Sequence, residues 1–206
     1  MLTFYYARNS CALATHLALE YAGAPYKPER IDFGKEQQRS PEFLRINPKG
    51  RVPALATDRG ILTETPALLQ FIAQGFPQSG LAPLDDAFLM AQVNEFNSYL
   101  CATVHVAHAH RGRGYRWADD EAAIEAMKKK VPQNMGDCFA LIEERMLQGP
   151  WVLGERFSIS DCYLFTVTRW LEGDGVDVQR FAKVSEHLRR MNAEPVVQKV
   201  LADWAA

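Results

Sequence analysis

Hydrophobic positions fall into two regimes along the chain. Up to about residue 75, short apolar runs and helical periods alternate; beyond about residue 85 only helical periods remain. Leu2-Thr3-Phe4-Tyr5-Tyr6 is a β-branched and aromatic run and predicts a strand. From Cys11 to Tyr21, with Leu13, Leu17 and Ala18 on one face, the spacing predicts a helix that Gly23 and Pro25 stop. Tyr26 to Phe33 is a second strand candidate, weakened by Pro28. The polar stretch 34–47, which contains Pro41, predicts loop and a short helix. Val52-Pro53-Ala54-Leu55-Ala56 and Ile61-Leu62, joined by Asp58-Arg59-Gly60, predict a hairpin, and a helix follows to about Gly75. Turn residues between Gly75 and Pro83 read as a linker. Long helical patterns cover 85–110, 118–147 with a kink or break at Pro132, 158–171, and 178–204 as one or two helices.

The segment 47–69 concentrates the chemistry. Asn47-Pro48-Lys49-Gly50 is turn chemistry, and Pro53 opens a strand at the place where proline is tolerated. An X-Pro bond here is a candidate cis bond. It would leave the Val52 backbone to pair with an extended peptide, as an added strand would. Thr65 reads as the N-cap and Pro66 as the first residue of the next helix. A helix start offers N–H groups to an anion, and Glu64 beside it offers a carboxylate to a cation. A peptide dock, an anion site and a cation site so close together suit a small zwitterionic peptide.

The order β-α-β, connection, β-β-α describes a thioredoxin-like unit. In that setting the run N-P-K-G-x-V-P-A-L, a hairpin, and L-T-E-x-x-A-L-L-Q-F-I resembles the glutathione-binding half of cytosolic glutathione transferases, and is similar to the bacterial beta class. The resemblance continues through Gly154-Glu155-Arg156-Phe157-Ser158-Ile159-Ser160-Asp161, which is similar to the N-capping box of that family's buried C-terminal helix. It implies an α/β plus all-α fold: a thioredoxin-like glutathione-binding domain over 1–78, a linker over 79–86, and an all-helical domain over 87–206 that carries the electrophile pocket. It also implies a cytoplasmic homodimer with its active site in the interdomain cleft, and a role in detoxification. By matching position, glutathione would lie against Val52 and Pro53. Glu64 and Thr65 would take its γ-glutamyl end and Lys35 its glycyl end. Cys11 would lie beside its sulfur, with His105 at the active site. The beta-class pattern has lysine where this chain has Val106, and asparagine where it has Ser98.

Composition narrows the partners. A net charge of -2 gives no general pull toward nucleic acid or acidic membranes. No apolar run approaches the length of a membrane span, and the first residues lack the form of a signal peptide. Cys11, Cys101, Cys138 and Cys162 are widely spaced, which argues against a zinc ribbon or disulfide scaffold, and no metal site is expected.

Cys11 at a helix start is where a thiolate is stabilised. Ser10, Tyr5 and Tyr6 are alternative hydroxyl donors to a bound thiolate, and the other cysteines read as core. His105 and His108 share a helix face; His108, His110 and the three arginines that follow are candidates to line the electrophile pocket. For His110, Arg111 and Arg113 the ordinary reading is a solvated helix end complementing the dipole. The expected function is a glutathione transferase that conjugates the glutathione thiol, glutathione being a co-substrate, to small hydrophobic electrophiles. The alternatives are a glutathione-dependent thiol–disulfide oxidoreductase using Cys11, and a non-catalytic, transferase-like regulator that binds proteins.

Overall fold

The computed structural model describes residues 1–205. These divide into two compact units, 1–90 with the residues from 193 onward, and 91–192.

In the first unit β1 (Leu2–Tyr6) runs parallel to β2 (Tyr26–Arg30) and antiparallel to β3 (Ala54–Thr57), which pairs with β4 (Gly60–Thr63). Among the described residues these strands form one sheet in the order β2-β1-β3-β4. That is the mixed sheet of a thioredoxin-like domain. Pro28 sits within edge strand β2, paired with Phe4, as an edge allows. Helix α1 (Ala12–Tyr21) is buried from Ala12 to Leu19, and α3 (Thr65–Gly75), in which Leu68, Leu69 and Ile72 are buried, packs against it. Helix α2 (Pro41–Ile46) is a short turn capped by Ser40, whose Oγ accepts from the Phe43 N–H at 3.2 Å.

The last helix, α9 (Pro195–Ala205), packs on α1. The indole N–H of Trp204 donates to Nδ1 of His16 at 2.7 Å. Indole nitrogen only donates, so Nε2 of the neutral His16 carries the hydrogen. It faces the Tyr26 hydroxyl at 2.6 Å, which in turn donates to Glu20 at 2.5 Å. Lys199 closes the chain on Glu20 at 2.6 Å. Burial lowers the His16 pKa to about 4 and raises that of Tyr26.

The second unit is helical. Helix α4 (Ala87–Tyr99), whose residues 87–90 belong to the first unit, continues through a π-helical stretch, Leu100–Val104, into α5 (His105–Arg113). Helix α6 (Glu121–Leu141) contains Pro132 and continues past it, so of the expected kink or break there is no break. Pro132 and Lys128, whose carbonyl loses its usual partner, are both exposed, so water can meet that carbonyl. Helix α7 (Ile159–Thr168) is buried at every position. It begins with the expected capping box: Ser158 N–H donates to Asp161 at 2.8 Å and Ser160 N–H to Ser158 Oγ at 3.2 Å. Helix α8 (Ala182–Ala193) completes the unit.

Candidate functional site

The loop leading into β3 is shaped by buried Asn47. Its side-chain amide donates to the Arg51 carbonyl at 2.6 Å, and its Oδ1 accepts from the Lys49 N–H at 3.2 Å. Gly50 sits at φ +60°, with its Cβ position 3.1 Å from the Gln38 carbonyl, so a side chain there would be crowded as well as strained. The Val52–Pro53 bond is cis. Ladder pairing of β3 starts at Ala54, so Val52 lies outside it.

Cys11 is the N-cap of α1, and its own side chain makes no capping bond there. Its thiol approaches the Val52 carbonyl oxygen at 3.8 Å, joining positions 41 apart in sequence. Ser10 is engaged locally. Its hydroxyl donates to the Ala7 carbonyl at 2.6 Å and accepts from the Ala12 N–H at 3.3 Å. Tyr6 belongs to an aromatic cluster, stacked on Phe4 at 5.6 Å and beside Trp204 at 5.3 Å, and Tyr5 meets the edge of Phe43.

At the start of α3 the sequence expectation shifts by one residue. Glu64, not Thr65, is the N-cap, and Thr65 is the first helical residue. Glu64 takes φ +73°, rare for a side-chain-bearing residue, and no side chain caps the helix. Thr65 is buried while Glu64 is exposed. Lys49 bridges this corner, with its ammonium on the Glu64 carboxylate and on Thr63 Oγ1 at 2.6 Å. Lys49 was not among the predicted site residues, because a lysine in an Asn-Pro-Lys-Gly turn reads as solvated. Its spacing of 15 residues from Glu64 gives no local signal. Lys35 ends a single 3-10 turn, Phe33–Lys35, capped by Asp32. It is mostly exposed, 3.9 Å from the Asp32 carboxylate.

His105 begins α5 in the helical unit, with its ring 4.9 Å from that of Trp170. His108, one turn on, stacks on the same indole at 4.2 Å. Arg111 is exposed in the last turn of α5, as expected, and its Nη1 also lies 3.2 Å from the buried Asp174 carboxylate. Cys138 and Cys162 are buried, and burial raises both thiol pKa values. Among the described residues no three His, Cys, Asp or Glu side chains gather as a metal set.

Comparison with known proteins decides the family. Residues 1–74 match the glutathione S-transferase N-terminal domain, and residues 121–190 match its C-terminal domain. A glutathione transferase homologue from Sulfitobacter, solved with bound glutathione, is 44% identical with TM-score 0.95, and the alignment covers 98% of each chain. The chain belongs to the glutathione S-transferase family. Two further family members extend the likeness across both units. A glutathione S-transferase of Escherichia coli O157:H7 is 27% identical over 98% of each chain. The beta-class glutathione S-transferase of Sphingomonas chungbukensis is 26% identical, with TM-score 0.85 over 98% of each chain. For a glutathione S-transferase the N-terminal matched region holds Cys11, Ser10, Lys35, Val52, Pro53, Glu64 and Thr65, while His105 lies between the two matched regions.

Proposed function

We propose that the protein is a beta-class-like glutathione transferase that joins the thiol of glutathione to small hydrophobic electrophiles. The observation that carries this reading is the approach of the Cys11 thiol to the Val52 carbonyl, 3.8 Å away. It brings a thiol at a helix start to the backbone against which an extended peptide would lie. The Val52 backbone would hold the cysteinyl part of glutathione by main-chain bonds, with Pro53 fixing the strand entrance. The uncapped start of α3, with Thr65 as its first residue, would take the γ-glutamyl carboxylate, and Glu64 the amine. Lys35 would meet the glycyl carboxylate. Glutathione bound to the Sulfitobacter relative supports the ligand.

Cys11 and the dipole of α1 would favour the bound thiolate, and the gain is positioning plus a raised thiolate fraction. The Ser10 hydroxyl already directs its proton to Ala7, which favours Cys11 over Ser10 as the group beside the sulfur. In this reading residues 1–78 bind glutathione, 79–86 link, and the helical part from 87 carries the electrophile and His105. The working form is a cytoplasmic homodimer. Glutathione-dependent thiol–disulfide exchange is the second reading, favoured by Cys11 itself: its thiolate would attack a disulfide that carries glutathione, leaving a Cys11–glutathione mixed disulfide and releasing the other half as a thiol.

Two measurements separate these readings. Titration of glutathione into the reduced protein tests the site, and conjugation of chlorodinitrobenzene tests the reaction. Binding with conjugation that survives Cys11→Ala supports transfer. Exchange activity abolished by Cys11→Ala, with no conjugation in wild type, would favour the oxidoreductase. Absence of glutathione binding would contradict both.

A further inference from the structure

Three parts of the first unit converge on α9. At the end of β1, the Tyr6 ring lies 5.3 Å from that of Trp204. In the loop that follows, Arg8 donates through Nη2 to the Ala205 carbonyl at 2.9 Å, and its Nε is buried. On α1, His16 accepts the Trp204 indole N–H at 2.7 Å, and Glu20 pairs with Lys199 at 2.6 Å. The hydrogen-bonded partners are 179 to 197 positions apart in sequence. These contacts differ in weight. The Lys199 side chain is exposed, and ion pairs of that kind contribute little. Trp204 and His16 are both buried, so loss of either partner leaves a covered polar group unsatisfied.

What α9 holds is the approach to Cys11. Residues 7–10 join β1 to α1, and Cys11 is the N-cap of that helix. The loop is tight: Asn9 takes φ +55°, and the Ser10 hydroxyl closes back on the Ala7 carbonyl at 2.6 Å. One α9 contact, through Arg8, lies shortly before Cys11 in the chain, and another, through His16, lies shortly after it. The thiol between them approaches the Val52 carbonyl at 3.8 Å. The field of a helix start fades within its first turn. A sulfur beside Cys11 therefore gains from it only while the loop keeps that sulfur close.

We propose that α9 braces the loop that carries Cys11, with Arg8 and Trp204 as positioning residues for the glutathione sulfur. The proposal rests on the glutathione reading and adds residues that act through the loop and not on the ligand. The Val52 backbone and the start of α3 hold the peptide. The brace sets where the peptide's sulfur meets Cys11 and the start of α1. Loosening the brace leaves the peptide clamp intact and raises the pH at which the bound thiol ionises, because the sulfur sits farther from the helix start.

The test makes two measurements on wild type, Arg8→Met, Arg8→Lys and Trp204→Phe. Titration calorimetry gives the affinity for S-methylglutathione, which has no thiol to ionise. Ultraviolet difference absorbance between bound and free forms gives the pH midpoint of glutathione thiolate formation on the protein. In Arg8→Met and Trp204→Phe we expect the midpoint to rise by about half a pH unit, with S-methylglutathione affinity within about twofold of wild type. Arg8→Lys keeps a donor for the Ala205 carbonyl, and its midpoint should stay near that of wild type. If Trp204→Phe does not fold, the two Arg8 variants decide alone. An unchanged midpoint in Arg8→Met and Trp204→Phe would overturn the brace while leaving the glutathione reading in place. So would a parallel loss of S-methylglutathione affinity, which marks a general loosening of the unit, or an Arg8→Lys midpoint shifted as far as that of Arg8→Met. A wild type that binds neither glutathione nor S-methylglutathione would refute the glutathione reading, and the brace with it.

Discussion

The two units build their polar sites from different materials. In the first, the groups we propose for the ligand are largely backbone: the Val52 main chain outside the ladder and the start of α3, shaped by Asn47, Gly50 and a left-handed Glu64. In the helical unit the polar centres are side-chain pairs, Asp161 with His187 and Asp174 with His108 and Arg111. Backbone sites follow from loop geometry and tolerate side-chain change at their rim. Buried side-chain pairs depend on single residues, because removing one partner strands the other in a low-dielectric setting. The units should therefore respond differently to point substitutions: lost stability in the helical unit, lost affinity in the first.

The largest expected effect is Asp161→Ala. Asp161 serves the N–H groups of Val152 and Ser158 and the His187 ring, so its loss should cost about 3–5 kcal/mol, read by denaturant unfolding. Ser158→Ala, which removes only the cap oxygen, should cost about 1 kcal/mol. Equal effects for the two would break the contrast between an ordinary cap and a buried hub.

Next comes acid sensitivity in the first unit. The His16 pKa falls from 6.5 to about 4 on folding, so the unfolded chain binds the extra proton over that interval. His16 contributes fully above pH 6.5, and its contribution is lost as pH falls to about 4, a total of roughly 3 kcal/mol. Unfolding curves of wild type and His16→Phe across this window check the sign: the variant should show the shallower fall. A smaller loss is expected from Trp204→Phe, which keeps a ring but removes the donor to His16 Nδ1, at about 1–2 kcal/mol in thermal unfolding. Smallest is Lys49→Met. Exposed ion pairs are worth up to about 1 kcal/mol, so glutathione affinity should weaken about two- to fivefold as Glu64 loses its brace, with stability nearly unchanged.

What was legible in the sequence rests on local signals. A β-branched run, a proline at a strand entrance, and Ser158 with Asp161 three residues later each act over a few residues, and the strands, the cis Val52–Pro53 bond and the capping box appear where expected. What escaped was tertiary. The N-cap moved to Glu64 because the fold holds a non-glycine residue at positive φ, which no local preference predicts. Lys49 reads as an ordinary turn lysine until the hairpin returns Thr63 and Glu64 to it. The ion pair of the exposed Arg111 gave no signal because its partner, Asp174, lies 63 positions later in a turn after α7. Pro132 suggested a kink or break; the helix does not break there, because its surface position lets it continue.

The most direct measurement is titration calorimetry of glutathione against reduced wild type and Cys11→Ala. A ligand site made mostly of the Val52 backbone and the start of α3 predicts binding to both, because neither depends on the Cys11 side chain. Absence of binding to wild type would contradict the glutathione site itself. Binding to wild type with none to Cys11→Ala would contradict the claim that backbone, and not the thiol, does the holding.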